Sequence, residues 1–372
     1  MPRSYDRSTF VFLSSHTGRA LGRVERRMLK VIAVLLERGA TCLVICHPRS
    51  PMAEGAREVG ATVSPYVLDR FNYLRTESRV RKYFKRYAPV VAHSTGLEAD
   101  LIVRWAARDL PVGVVNSLSC ADWPRQGVGV PSRWVRRRLD LDTIRNADTV
   151  IVDCAELVPR VAGVGVDPEH IIVDPPSVDI KRVARQAAEP TEIGRTGAPL
   201  VGYAGGVEFS RGLSTLLKAA SLLVAQGTVC EPIIVGEGPA MRSLKADPAA
   251  LRVTFTGAVD SAPAALSAMD ICVFPSVEPG MPTTMLEAAA LARPIIASDI
   301  DGIRGVFESG SEIVLVKPGD SAALADAITN LLADPAAAGA MAVRARARVL
   351  DEYSAKAMIE RHLAVYRRFM AR

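Results

Sequence analysis

The stretch Pro275–Asp299, PSVEPGMPTTMLEAAALARPIIASD, reads as a loop, a helix and a strand, and the start of its helix suits an anion. Gly280 allows a sharp turn, and Pro282 fits a first helical position, where its missing N–H would be unpaired anyway. Thr283, Thr284 and the free amides around Met281 then face the helix end, where the dipole favours negative charge. Glu287, about one turn further on, reaches a neutral polar group such as a sugar or ribose hydroxyl. An anion at a helix tip beside a carboxylate for hydroxyls points to a nucleotide-sugar site.

Outward from this stretch, short β-branched runs alternate with helical patterns, which predicts parallel sheets covered by helices. The pattern places strands at Thr9–Ser14, Ala40–Cys46, Val90–His93, Val112–Ser117, Thr149–Val152 and Ile171–Val173. It restarts with strands at Leu200–Ala204, Pro232–Val235, Val253–Thr256, Ile271–Phe274, Pro294–Ala297 and Ile313–Val316. Helices fill the gaps, as at Val24–Arg38, where Met28, Leu29, Ile32, Leu35 and Leu36 make one apolar face. Between the two runs, Ala184–Pro199 is polar and rich in Gly, Pro and Ala, and reads as a linker. The expected organisation is an N-terminal Rossmann-like domain over 1–183, the linker over 184–199, a second such domain over 200–350 and a C-terminal helix over 351–372. Folds of this kind bind ligands at the carboxyl ends of their strands. Two of them, facing a central cleft, would put the ligand between them.

The 372 residues exceed one ordinary core. Apolar residues make up 49% and charged residues 23%, as in a soluble globular protein, and no apolar run is long enough to span a bilayer. A cytoplasmic protein is expected. Cys42, Cys46, Cys120, Cys154, Cys230 and Cys272 are scattered, mostly in apolar strand-like runs with no CxxC, so buried reduced thiols are expected and structural zinc is not. Residues 1–180 carry 26 Lys+Arg against 20 Asp+Glu, whereas residues 181–372 carry 20 of each. All the excess positive charge therefore sits in the first half.

Several segments in order resemble the GT-B glycosyltransferases, most closely glycosyltransferase family 4. VGYAGGVEFSRGLSTLLKAASLL resembles the strand, glycine turn, basic residue and helix that open that family's second domain. IIVGEGP, VTFTGAV and Pro275–Glu287 follow in the family's order, and LGRVERRMLKVIAVLLERGA resembles its first-domain glycine-loop helix. The resemblance implies a retaining, metal-independent transfer of sugar from a nucleotide diphosphate donor, UDP- or GDP-linked, with no other cofactor. Its partners would be that donor and a saccharide or lipid-linked acceptor. It places the donor on Gly22, Arg23, Gly205, Gly206, Arg211, Gly236, Gly238, Val259, Gly280, Met281, Pro282, Thr283, Thr284 and Glu287. Arg211 stands where the family usually has Lys, which keeps a cation and permits a bidentate phosphate grip. Glu278, Arg211 and Ser119 are the catalytic candidates, with His93 and Trp123 on the acceptor side.

The sequence departs from the family at several points. The first carboxylate of the usual E-x7-E pair falls on Pro279, and Glu278 makes the spacing E-x8-E. A phosphate-binding Arg falls on Gly206, a glycine pair reads Gly22-Arg23, and a His falls on Ser119. Arg23 is a candidate to replace the cation missing at Gly206. These changes leave open a non-catalytic GT-B-like binding partner, and a GT-B sugar-nucleotide epimerase, a different reaction class, is a second alternative. Asp299-Ile-Asp301 and Asp140-Leu-Asp142 resemble metal-binding pairs of a different glycosyltransferase fold, a role the two-Rossmann pattern argues against.

Arg79, Arg81, Lys82, Lys85 and Arg86 interleave with Tyr83, Phe84 and Tyr87, and Trp134 lies among Arg133, Arg136, Arg137 and Arg138. Basic faces with aromatic residues suit an anionic membrane surface, which would make the protein peripheral on the membrane's inner face. No nucleic-acid motif accompanies the charge. The expected setting is polysaccharide, glycolipid or cell-envelope synthesis.

Overall fold

The computed structural model describes residues 5–6, 8–16, 20–65, 73–119, 138–191, 193–194, 197–278 and 280–371. Two compact units are present: Met1–Pro175 with Met358–Arg372, and Pro176–Ala357.

Among the described residues, the first unit is built on a seven-stranded parallel sheet: β1 (Thr9–Ser14), β2 (Thr41–Cys46), β3 (Thr62–Pro65), β4 (Val91–Thr95), β5 (Gly113–Leu118), β6 (Thr149–Val152) and β7 (Ile171–Val173). Its order is β3-β2-β1-β4-β5-β6-β7. Helices cover both faces, so the central strands are buried on both sides rather than alternating between core and solvent. On one face Phe10 and Phe12 pack with Met28 and Ile32 of the helix Arg23–Glu37 and with Leu363 and Tyr366 of the helix Ala355–Met370. That last helix lies close enough to the sheet that a Cβ on Gly113 would fall 2.5 Å from the Phe369 ring.

The second unit has a six-stranded parallel sheet: β8 (Leu200–Ala204), β9 (Glu231–Val235), β10 (Thr254–Gly257), β11 (Ile271–Phe274), β12 (Ile295–Ser298) and β13 (Val314–Val316), in the order β10-β9-β8-β11-β12-β13. Each sheet is doubly wound, and its strand order reverses between β1 and β4 in the first unit and between β8 and β11 in the second. Such reversals leave a crevice at the carboxyl ends of the strands.

The expected strands are present within a residue or two, and several expectations need correction. The break between units falls at Pro175/Pro176, so the segment read as a linker lies inside the second unit. Its residues 184–187 are the end of the helix Ile180–Ala187, capped by Asp179, whose side chain accepts from the Arg182 amide at 3.0 Å. Ile180, Val183, Ala184 and Ala187 of that helix recur at helical spacing, a signal that the linker reading passed over, although only Val183 is buried. Cys42, Cys46, Cys230 and Cys272 are free, but Cys154 is disulfide-bonded, against the expectation of six reduced thiols.

A buried polar network crosses the first sheet. Ser94 Oγ donates to Asp100 Oδ1 at 2.6 Å, Asn116 Nδ2 donates to the same oxygen at 3.3 Å, and Arg104 Nε donates to Asn116 Oδ1 at 2.7 Å. Burial pushes the Asp100 carboxyl up to about 7 despite the pull of Arg104. An acid raised in the folded state binds its proton more tightly there than when unfolded, so stability falls as pH rises from about 4 to about 7. Asp100→Asn keeps the Oδ1 acceptor and removes the titration. The variant is expected to flatten that decline and to be more stable than the parent at pH 8, by on the order of 4 kcal/mol. Urea unfolding at pH 5 and pH 8 measures it; parallel losses in both proteins would refute it.

Candidate active site

In the second unit the carboxyl ends of the strands carry a run of glycines that hold one another close. Gly205 follows β8 with φ 149°, and Gly236 follows β9 with φ 131°. A Cβ on Gly236 would lie 1.9 Å from the Gly205 carbonyl oxygen, and one on Gly238 would lie 2.3 Å from the Val207 carbonyl oxygen. Only glycine fits there, and the result is bare backbone facing the crevice. Tyr203 Oη donates to the Gly206 carbonyl at 2.8 Å and sets the turn, and burial pushes its phenol up to about 12 against the pull of Arg211. The tyrosine is a supporting residue that the sequence reading passed over. Gly206 and Val259 are exposed and Gly238 is half-buried.

At the β8–β11 reversal, the short turn Phe209–Arg211 leads through Gly212, in the left-handed conformation at φ 60°, into the helix Leu213–Ala225. A Cβ on Gly212 would fall 2.1 Å from the Pro275 carbonyl oxygen, and the Val277 amide donates to the Ser210 carbonyl at 2.9 Å. These contacts lock the Arg211 turn to the Pro275 loop. Arg211 is half-buried, and its guanidinium makes no hydrogen bond or ion pair among the described residues.

The helix of the opening stretch runs over Thr283–Ala290, with Pro282 as its N-cap at φ −64° rather than its first residue. The Gly280 amide is taken by the Asp301 carbonyl at 2.9 Å, which fixes the turn before the helix. Gly302 permits that contact, since a Cβ on it would lie 2.9 Å from Gly280 Cα. The amides of Met281, Thr283 and Thr284 make no hydrogen bond among the described residues and remain for an anion. The Met281 side chain, by contrast, belongs to the core. Thr283 is exposed, and Thr284 Oγ1 lies beside Gly205, 3.4 Å from where its Cβ would be. Glu287 is 7% exposed and accepts from Arg182 Nη2. Glu278 is exposed, without a hydrogen bond or ion pair among the described residues, and Pro279 lies outside them.

In the first unit the corresponding reversal brings Ser14 and Ser15 beside Thr95 and Gly96, with the Ser15 amide on the Thr95 carbonyl at 3.2 Å. Gly22 caps the helix Arg23–Glu37, and Arg23 is exposed at its first position. Glu25, which the sequence reading missed, is 5% exposed; it takes the Ser14 hydroxyl at 3.2 Å, and its Oε2 would lie 2.2 Å from a Cβ on Gly22. A carboxylate already lies at this helix start, which suits a hydroxyl-bearing ligand better than an anion.

Two further expectations are corrected. His93 is fully buried, with Nδ1 on Tyr366 Oη at 2.6 Å and Nε2 on Ser117 Oγ at 2.8 Å. Burial, with His362 and Arg27 nearby, holds its pKa well below the usual range. It is a neutral core residue that ties the last helix to the sheet, not an acceptor contact. Ser119 is 6% exposed and donates to Asp153 Oδ2 at 2.7 Å, so its hydroxyl is engaged rather than offered to substrate. Trp123 lies outside the described residues. The Asp pairs are held in ion pairs: Asp299 and Asp301 with Arg304 at 2.8 and 3.9 Å, Asp140 with Arg104 at 2.6 Å and Asp142 with Arg138 at 3.3 Å.

The helix Tyr73–Tyr87 exposes Arg79, Lys82, Lys85 and Arg86, with the Arg86 guanidinium over the Tyr87 ring at 5.4 Å. Phe84 is core, and Arg81 donates to the Arg108 carbonyl at 2.6 Å, so both are structural. The second basic stretch, 133–137 with Trp134, lies outside the described residues. No helix among the described residues is long and apolar enough to cross a membrane.

A family model described as glycosyl transferases group 1 matches residues 198–334, and one described as a glycosyl transferase 4-like domain matches residues 22–177. Each half of the chain thus matches a glycosyltransferase family model. Similar proteins include the alpha-D-kanosaminyltransferase of Streptomyces kanamyceticus, 30% identical over 51% of this chain and 50% of that one. The 2-deoxystreptamine glucosyltransferase of the same organism is 28% identical over 64% of this chain and 63% of that one. The matches thus span about half to five-eighths of the relatives' length. A glycosyltransferase from Rickettsia africae shares the fold with a TM-score of 0.77, covering 98% of each chain at 16% identity. Anabaena HepE, solved in complex with UDP, gives 0.74 at 17% identity, covering 96% of this chain and 99% of its own. The chain therefore has the GT-B architecture of two Rossmann-like domains.

Proposed function

We propose that the protein is a retaining glycosyltransferase that moves a sugar from a nucleoside diphosphate sugar to an acceptor hydroxyl. The observation that carries the reading is the Arg211 turn bonded to the Pro275 loop at the β8–β11 reversal, beside three unbonded amides at a helix start. A diphosphate seated there meets a cation and a helix dipole together. In the transfer, the bond from the anomeric carbon to the diphosphate oxygen breaks, and the acceptor oxygen bonds on the same face. The acceptor proton leaves with the diphosphate. Negative charge grows on the leaving oxygen, and Arg211 with the amides of Met281, Thr283 and Thr284 stabilises it. That role is one a divalent cation fills in metal-dependent transferases, so no metal and no other cofactor is invoked. Glu278 is the candidate to orient the sugar and Glu287 to receive donor hydroxyls.

The acceptor belongs to the first unit, where Glu25 and Ser14 offer hydroxyl-matching groups at the β1–β4 reversal. The exposed Arg and Lys side chains of the helix Tyr73–Tyr87 support a lipid-linked acceptor at an anionic surface, each cation adding about 1 kcal/mol. The names of the Streptomyces relatives put 2-deoxystreptamine among the acceptors to be tried.

Release of UDP or GDP from a panel of nucleotide sugars, with saccharide, 2-deoxystreptamine or membrane extract as acceptor, tests the reading. Glu278→Gln is expected to cut kcat with donor affinity kept, and Glu287→Ala to do the reverse. Donor binding without release from any donor would leave a binding protein instead, and an epimerised sugar released without acceptor would make it an epimerase.

A further inference from the structure

We infer that Arg182 is a positioning residue of the donor site, holding one oxygen of the Glu287 carboxylate so that the other is presented to a hydroxyl of the donor. The inference rests on the reading of Glu287 as the carboxylate that receives the donor. Arg182 Nη2 donates to Glu287 Oε1, with side-chain exposures of 39% and 10%. Glu287 Oε2 has no hydrogen-bond partner among the described residues. A carboxylate is acceptor-only, so the group it can still take is an O–H or N–H of a ligand, as a ribose or sugar hydroxyl provides.

Arg182 is itself fixed. Its amide is capped by Asp179, its Nη1 donates to Gln186 Oε1, and its helix packs through Ser261 Oγ on the Gln186 carbonyl at 3.3 Å and Ser267 Oγ on the Ala187 carbonyl at 3.2 Å. Just before the helix, the Val178 amide donates to the Tyr353 carbonyl and the Ala355 amide to the Val178 carbonyl, each at 2.8 Å. The guanidinium is thus held on a braced helix rather than a loop end. A planar donor so anchored sets the plane of the carboxylate it grips, and the unpaired oxygen inherits that orientation. Without it, Glu287 would rotate about its side-chain torsions and lose the alignment on which a hydroxyl contact depends.

Calorimetric titration of the full chain with UDP and with GDP tests this. Arg182→Ala is expected to weaken the preferred nucleotide about tenfold, the scale of one lost charge-assisted contact, and Arg182→Lys to recover part of the loss. In a Glu287→Ala background the same change is expected to do nothing further, because Arg182 acts through that carboxylate. A merely structural arginine would add its cost in both backgrounds. Independent, additive losses overturn the inference, as does wild-type affinity in Arg182→Ala when Glu287→Ala is weakened. Wild-type affinity in Glu287→Ala, or no binding of either nucleotide by the parent, removes the underlying reading of Glu287 and takes the inference with it.

Discussion

Replacing Arg211 with Ala is expected to lower kcat/KM for sugar transfer by about 10²–10³-fold, the cost of removing one preorganised donor to a developing anion. The expectation rests on what surrounds the side chain. Its backbone is locked by Gly212 against the Pro275 carbonyl and by Ser210 against the Val277 amide, so the turn that carries the cation is set before any ligand arrives. Its guanidinium makes no hydrogen bond or ion pair among the described residues, so no internal partner must be surrendered when a diphosphate binds. Part of the loss belongs to donor binding, about 1–3 kcal/mol for a charge-assisted contact, and the rest to charge that appears only as the bond breaks. Arg211→Lys is expected to fall between, because it restores the charge without the paired donors. Steady-state kinetics of the three proteins, with thermal unfolding as a control, measures the effect. An Ala variant within about threefold of the parent would remove Arg211 from the transition state.

What the sequence made legible follows the range of the interactions involved. The strands of both sheets were readable because β-branched apolar runs bounded by turn residues are local signals. β3 escaped because it is a short edge strand of mixed residues ending in Pro65. The helix Pro335–Glu352 was passed over because its buried side is mostly Ala338, Ala342 and Ala345, too small to make an apolar periodicity. In the candidate site, the glycines and the helix start were local and legible. Arg182, separated from Glu287 by 105 residues, was not. His93 shows the reverse error: a polar residue late in a strand looks like a ligand contact until Tyr366, 273 residues away, is seen to satisfy it. Glu25 gave a local signal, an acid in the first turn of a helix that begins at a glycine, which was there to be read.

Asp174→Ala is expected to cost the first unit about 3–5 kcal/mol of stability, the range for breaking a buried ion pair from one side. Asp174 is 1% exposed and follows β7 just before the chain leaves that unit. Its Oδ2 takes Arg27 Nη1 at 3.1 Å and His362 Nε2 at 3.0 Å, and its Oδ1 takes Arg361 Nε at 2.8 Å. Arg361 and His362 lie on the returning helix, so one carboxylate joins the outgoing strand, the helix Arg23–Glu37 and the last helix. Removing it would leave guanidinium charge without the carboxylate that compensates it, a greater loss than the pair's own net worth. The same group sets a pH limit. Burial would raise the carboxyl, but the His362 hydrogen bond and the charges of His362, Arg27 and Arg361 outweigh it and hold the pKa below its usual value. An acid depressed in the folded state stabilises at pH above its unfolded pKa, and that stability is lost as pH falls through the folded value. The parent should therefore lose stability below about pH 4. Asp174→Asn, which lacks the charge but keeps the shape, should be weakened near pH 7 and show a shallower acid decline. Scanning calorimetry between pH 3 and pH 7, which resolves transitions of separate units, decides it. An Asn variant with the parent's acid slope would show that other carboxylates carry that limb, and an Ala variant within about 1 kcal/mol would show that Arg27 and Arg361 find solvent or other partners when the carboxylate is gone.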